Sequence, residues 1–366
     1  MSIYEVRLSR IKEWMKQENV GVTLVTSPPN VFYLTGFDCH PHERFMALCI
    51  QASGETALFV PTLERDAAQK AGCTNIVTVG DTDDPMAKLR TVIGDGPYGK
   101  LAVEKEHMTV ARYEQLQTVF GEEKAVAAEE LLLNMRLQKD AAEVAIMKKA
   151  AEIADRAIEA GIAAIAIGKT EQELVAVVES TMMALGASGP SFSTTVLAGE
   201  KSALPHGTPG SRAIQQGDFV LFDLGAVYEG YCSDITRTVV VGEPTAQQRE
   251  IYEAVLAANL ASIAATKPGR QAKEIDSAAR DVITAAGYGE YFNHRVGHGL
   301  GIEIHEFPSV HGNNEHELVT GMVFTIEPGI YLSDVGGVRI EDDVVVTEDG
   351  VEVLTSYPKA LQVISV

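Results

Sequence analysis

Apolar residues recur every three or four positions over 3–18, which predicts an amphipathic helix. GVTLVTS, residues 21–27, is a β-favouring run and predicts a strand, halted by Pro28-Pro29-Asn30. RFMALCI (44–50) and TALFV (56–60) flank the turn residues QASGE, the pattern of a hairpin. NIVTV (75–79) and LAVEKE (101–106) read as further strands, with helical spacing filling 63–71, 84–93 and 109–120. This alternation makes residues 1–125 an α/β domain.

Beyond 125 the pattern changes. Residues 127–186 are rich in Ala, Leu, Glu and Lys at helical spacing. Asp140 is placed to cap a long helix, and Thr170 with Glu173 makes a capping-box pattern for the next. Strand signals return in FSTTVLAG (192–199) and in the run 218–242. Two helical stretches, 245–266 and 271–286, separate these from a last set, MVFTIEPGIYL, GVRIEDDVVVTEDG and VEVLT. Strands and helices in two similar passes predict that 126–366 is an α+β domain.

Composition narrows the function. At 366 residues and 46% hydrophobic, the chain has the material for two ordinary cores. A net charge of −21 repels phosphate backbones and argues against a nucleic-acid partner. No apolar run is long enough to cross a bilayer, and the N-terminus lacks the apolar segment of a secretion signal, so a cytoplasmic protein without a membrane partner is expected. Cys39, Cys49, Cys73 and Cys232 are scattered without a C-x-x-C pair and read as small buried hydrophobes.

The acids are less ordinary. Aspartate and glutamate are depleted in strands, yet Asp223 sits in VLFDLG, Asp234 eleven residues on across VYEGY, Glu327 in FTIEPGI and Glu341 in GVRIEDD. Paired as a hairpin, the first two runs bring both aspartates to one face. An unpaired buried carboxylate costs on the order of several kcal/mol. Arg237 and Arg339 lie nearby but do not balance four negative charges; two divalent cations do. HRVGHGLGIEIHE, 294–306, adds His298 between glycines as a neutral nitrogen donor, where the backbone bends and passes close to a ligand. Resumed alternation in GIEIHE places His305 on a strand. Taken singly, each residue has a plainer reading: a lone strand aspartate is more often a turn-edge or solvent-facing residue, and a lone histidine more often a core or surface residue. His107, His311 and His316 belong to loops, and His40 and His42 are ambiguous. The ordered set of two aspartates, a histidine and two glutamates is more specific than any member.

These motifs resemble those of the creatinase and methionine aminopeptidase type of metallopeptidases, the pita-bread enzymes, and within them the proline-specific group of Xaa-Pro dipeptidases (prolidases) and aminopeptidases P. LFDLGAVYEGYCSDITRT, VGHGLGIEIHE, FTIEPGIY and GVRIEDDVVVT carry the likeness, which spans nearly the whole chain. The resemblance implies a creatinase-type N-terminal domain for 1–125, serving dimerisation and active-site closure, and a pita-bread catalytic domain for 126–366. It implies Asp223, Asp234, His298, Glu327 and Glu341 as ligands of two divalent ions, Mn²⁺ ahead of Co²⁺ or Zn²⁺, with a hydroxide bridging them. His206 in ALPHGTPG, His294 and His305 are implied on the substrate side, His206 and His305 as oxyanion donors, Arg339 toward the substrate's C-terminal end, and Glu327 as proton shuttle. The expected substrates are small peptides with proline at position two, above all dipeptides, cleaved by a homodimer. Aminopeptidase P activity on longer peptides is the first alternative. Metal-free creatinase chemistry is disfavoured by the complete ligand set, as is a non-catalytic peptide-binding module. GFDCHPHERFMAL varies within the family and leaves the residue preferred before proline open.

Overall fold

The structure, a computed structural model, describes residues 2–94, 96, 98–121 and 125–365. Its contacts divide the chain into two compact units, the division falling between Met135 and Arg136. Val126–Ala127 pairs in parallel with Lys100–Val103, so strand pairing ties the residues just past 125 to the first unit.

The first unit is built on a mixed six-stranded sheet. Its order is Ile76–Val79, Thr56–Pro61, Ala47–Gln51, Val20–Val25, Lys100–Val103 and Val126–Ala127. The expected hairpin joins Ala47–Gln51 to Thr56–Pro61, with Gly54 in the left-handed region at the turn. Val22, Leu24, Phe59, Leu89, Leu101 and Leu116 form the core between sheet and helices. Two local expectations need correction. Pro28-Pro29-Asn30 does not merely halt a strand; it opens the helix Pro28–Thr35. Proline suits the first helical turn, where its missing N–H is no loss. The strand expected over 101–106 stops at Val103, and Glu104 turns inward, where its carboxylate accepts the Ser27 N–H at 2.9 Å and the Asn30 amide at 2.7 Å. The first turn of that helix is thereby anchored.

The second unit repeats one arrangement, a helix pair followed by mainly antiparallel strands, with Val363–Ile364 parallel to its neighbour. Ala141–Ala163 and Glu171–Ala184 pack on the sheet Val363–Ile364, Ile235–Val241, Phe219–Leu224, Thr195–Ala198. Both helices start as expected. The Asp140 carboxylate accepts from the N–H groups of Ala142 and Glu143, and Thr170 and Glu173 complete a reciprocal capping box. Ala246–Ala265 and Ala272–Ala285 pack on Glu306–Val310, Gly297–Gly299, Val323–Ile326, Asp342–Val346 and Val351–Val353. The hairpin Gly329–Leu332/Gly336–Arg339 stands beside them. Each helix pair shields one sheet face, which leaves the other face to form a site. Cys39, Cys49 and Cys232 are buried free thiols and Cys73 is half-buried; burial pushes the Cys49 thiol up to about 12, which keeps it unreactive. Among the described residues no helix is long and apolar enough to cross a membrane.

Candidate metal centre

Four strand systems of the second unit deliver the acids to one place. Asp223 lies within Phe219–Leu224, opposite Thr236 in the antiparallel ladder. Asp234 lies one residue before Ile235–Val241, after a tight turn in which Glu229 and Gly230 are both left-handed. Glu327 sits between Val323–Ile326 and Gly329–Leu332, and Glu341 between Gly336–Arg339 and Asp342–Val346. Only Asp223 is a strand-interior acid; the other three occupy breaks in the ladder. A break lets a side chain leave the pleat and converge with neighbours, which regular alternation would prevent.

The glycines around His298 let strands pack closely. Gly297–Gly299 is a short strand, irregular in register after His298. A Cβ on Gly297 would lie 1.8 Å from the Thr325 carbonyl oxygen, and one on Gly299 2.3 Å from that of Phe307. What comes close at both glycines is the backbone of the neighbouring strands. His298 is held by its N–H on Thr325 Oγ1 at 3.1 Å, and its Nδ1 donates to the Gly299 carbonyl at 3.1 Å. That bond leaves the Nε2 lone pair facing the acids, 3.5 Å from Glu327 Oε1 and 3.8 Å from Asp234 Oδ2.

Electrostatics sets the acids in conflict. Burial, and then repulsion from Glu341 and Asp223, holds the Asp234 carboxyl well above the usual range. Glu341 is raised by burial and by Glu327 and Asp223, although Thr236 Oγ1 donates to it at 2.6 Å. Burial lifts Glu327 to about 7 against the opposing pull of Arg339. Asp234 Oδ1 is buried without a hydrogen-bond partner. Oxygens of Asp234 and Glu341 and a nitrogen of His298 lie within 4.8 Å of one another. An orphaned oxygen, crowded carboxylates and a neutral imidazole fit a divalent cation, which satisfies all three at once. The Asp223 carboxylate is instead paired with Arg339.

A cavity of about 700 Å³ opens onto this cluster. All nine residues singled out from the sequence line it: the five donors, His206, His294, His305 and Arg339. His294 Nδ1 donates to the Arg295 carbonyl at 2.7 Å, so its Nε2 accepts from the Tyr331 hydroxyl at 3.0 Å. Arg339 donates to that hydroxyl oxygen from Nη1 at 3.0 Å and to Thr236 Oγ1 from Nε at 3.1 Å. Burial pushes His298 down to about 3 and His294 to about 4, and lowers His305 as well. His305 is not on a strand: Glu306–Val310 begins one residue later, because 301–305 folds into a turn closed by the Glu306 carboxylate on the Glu303 N–H. Its ring meets His298 edge-on, centroids 4.2 Å apart. Sequence reasoning missed Arg295, Tyr331, Phe192 and Ile304 in the lining. Arg295 stands beside His294 in the quoted motif, the one signal available; an aromatic or isoleucine carries none. The ambiguous His40 and His42 line, with His107, a separate cavity of about 510 Å³ in the first unit.

Residues 145–348 match the model of metallopeptidase family M24, and 7–138 match that of the creatinase/prolidase N-terminal domain. An uncharacterized peptidase of Staphylococcus saprophyticus is 45% identical over 356 residues, 97% of this chain and 100% of that protein. The prolidase of Pyrococcus horikoshii OT3 superposes with a TM-score of 0.90 at 39% identity, covering 97% of this chain and 99% of its own. An X-Pro aminopeptidase from Thermotoga maritima MSB8 superposes with a TM-score of 0.90 at 33% identity, covering 98% and 99%.

Proposed function

The chain belongs to metallopeptidase family M24, and from that footing we propose that it hydrolyses the peptide bond before proline, with Xaa-Pro dipeptides as its substrates. The observation that carries the reading is the convergence of Asp223, Asp234, His298, Glu327 and Glu341 on a cavity whose other walls bear His206, His294, His305 and Arg339. The donor set of four carboxylates and one imidazole suits Mn²⁺, Co²⁺ or Zn²⁺, and the family likeness puts Mn²⁺ first. Two such ions, when bound, supply Lewis acidity toward the scissile carbonyl and lower the pKa of a water.

The remaining work falls to this chain's own groups. Among the described residues Glu327 accepts a hydrogen bond only from Thr325 Oγ1, a long one at 3.5 Å, so its carboxylate is available to take a proton from the attacking water. A tertiary amide has no N–H, so the departing proline nitrogen must gain a proton, and Glu327 delivers it. His206 or His305 donates to the carbonyl oxygen as negative charge grows there. Arg339 receives the C-terminal carboxylate: the guanidinium spends N–H groups on Thr236, Tyr331 and Asp223 and has others left, and His294 lines the substrate side beside it while holding the Tyr331 hydroxyl. The substrate's free α-amine lies toward the acids, which favours cleavage next to the N-terminus. The enzyme works as a homodimer.

Glu327→Gln should keep the fold and abolish turnover of Ala-Pro with added Mn²⁺; turnover at the parent rate would remove Glu327 from the mechanism. Likeness to the Thermotoga maritima X-Pro aminopeptidase supports a second reading, release of the residue before proline from longer peptides. Comparing kcat/KM for Ala-Pro and Ala-Pro-Xaa-Xaa separates the two.

A further inference from the structure

The turn that carries His305 is clamped on both sides of that residue. The Glu306 carboxylate accepts from Lys139 Nζ at 3.0 Å, from the Glu303 N–H at 3.1 Å and from the Arg136 guanidinium. The same guanidinium pairs with the Glu303 carboxylate at 2.8 Å. Residues 303 and 306 are therefore fixed to one cation–anion cluster, and the two residues between them, Ile304 and His305, face the cavity. The side chains of Arg136, Lys139 and Glu306 are 6%, 2% and 5% exposed. Gly301 makes room for them: a Cβ there would lie 2.9 Å from both Glu306 oxygens and from Lys139 Cε. At the other end of the turn, the Gly301 N–H donates to the Glu303 carbonyl and its carbonyl accepts from the Cys232 N–H at 2.7 Å.

We propose that Glu306, acting through its cluster with Lys139 and Arg136, is a positioning residue that holds the His305 ring at the edge of His298. Buried ion pairs are weak sources of net stability, because desolvation offsets their attraction; their yield is a fixed geometry. Burial alone would raise the Glu306 carboxyl, yet Lys139 and Arg136 bring it to about 2, so it stays ionised throughout the neutral range and the clamp does not loosen. A ring held within a fraction of an ångström can meet charge that develops only in the transition state, where small displacements matter most. The kinetic part of this proposal rests on the reading of His305 as a hydrogen-bond donor to the oxyanion.

A double-mutant cycle on Ala-Pro hydrolysis tests it, with the parent, Glu306→Gln, His305→Ala and the pair. Glu306→Gln should lower kcat about tenfold or more with KM within about twofold, and should change the His305→Ala enzyme by less than about twofold. Equal losses in both backgrounds would mean a general structural role and overturn the proposal. Should Glu306→Gln not fold, Lys139→Met takes its place in the cycle with the same expectations. A crystal structure of the variant supplies a readout independent of substrate: the His305 ring should leave its edge-on contact with His298. A ring still at 4.2 Å overturns the proposal whatever the enzyme cleaves. Failure of the Xaa-Pro reading looks different: parent and His305→Ala would be equally inert toward proline peptides, and the crystal structure alone then decides.

Discussion

Asp234 keeps one carboxylate oxygen buried without a partner while Glu341, Asp223 and Glu327 repel it. In metal-free protein Asp234→Asn should therefore not destabilise, and should raise stability by about 1 kcal/mol through relief of repulsion. With Mn²⁺ present the order reverses, because the parent gains binding energy that the variant lacks. Thermal melts in EDTA and in excess Mn²⁺ check both signs; a variant less stable than the parent in EDTA would contradict the electrostatic account. Glu306 behaves oppositely. Its folded-state pKa, about 2, lies below the ordinary 4.5, so its contribution is present above pH 4.5 and lost as pH falls toward 2. The gap in urea stability between parent and Glu306→Gln should narrow as pH drops from 5 to 3. At this scale the residue types were legible beforehand, since acids in apolar runs and a histidine between glycines stand out. The Asp223–Arg339 pair and the Tyr331 hydroxyl between Arg339 and His294 were not: Asp223 lies 116 residues from Arg339, and Tyr331 lies 37 from His294.

Helix starts are local and could be read directly: the Asp140 and Thr170 caps both form. Thr170→Ala should cost about 1 kcal/mol in urea unfolding, with activity unchanged, since it removes the bond to the Glu173 N–H. Strand boundaries fared less well. Pro28–Thr35 is a helix, and the strand expected through His305 begins at Glu306. In both places side chains distant in sequence decide, Glu104 in the first unit and, in the second, Lys139 and Arg136 through their hold on Glu306, and no local pattern marks such partners. The close packing of strands at Gly297 gives a sharper element-scale test. Gly297→Ala would force its Cβ against the Thr325 carbonyl and should cost about 3 kcal/mol or more, together with weaker Mn²⁺ binding as His298 moves. Gly189→Ala, where nothing lies within 4 Å, is the matched control and should stay within about 0.5 kcal/mol.

Across the whole chain, two units with separate cores match two family models in the order α/β and then α+β expected from the pattern of elements. The proposed homodimer predicts a sedimentation mass of twice the chain at micromolar concentration; a monomer that is fully active on Ala-Pro would remove dimerisation from the reading. By itself the sequence determined the helix pairs, the strand-rich runs, the two-part organisation and the candidate donors, because periodicity, capping and charge in apolar surroundings act over a few residues. Only the tertiary structure decided that three of the four acids sit in ladder breaks, that Arg339 spends a bond on Asp223, and that His305 rides on a clamped turn. Those arrangements depend on groups a hundred or so positions apart meeting in a desolvated pocket, where the strength of each charge is set by neighbours that the linear order does not reveal.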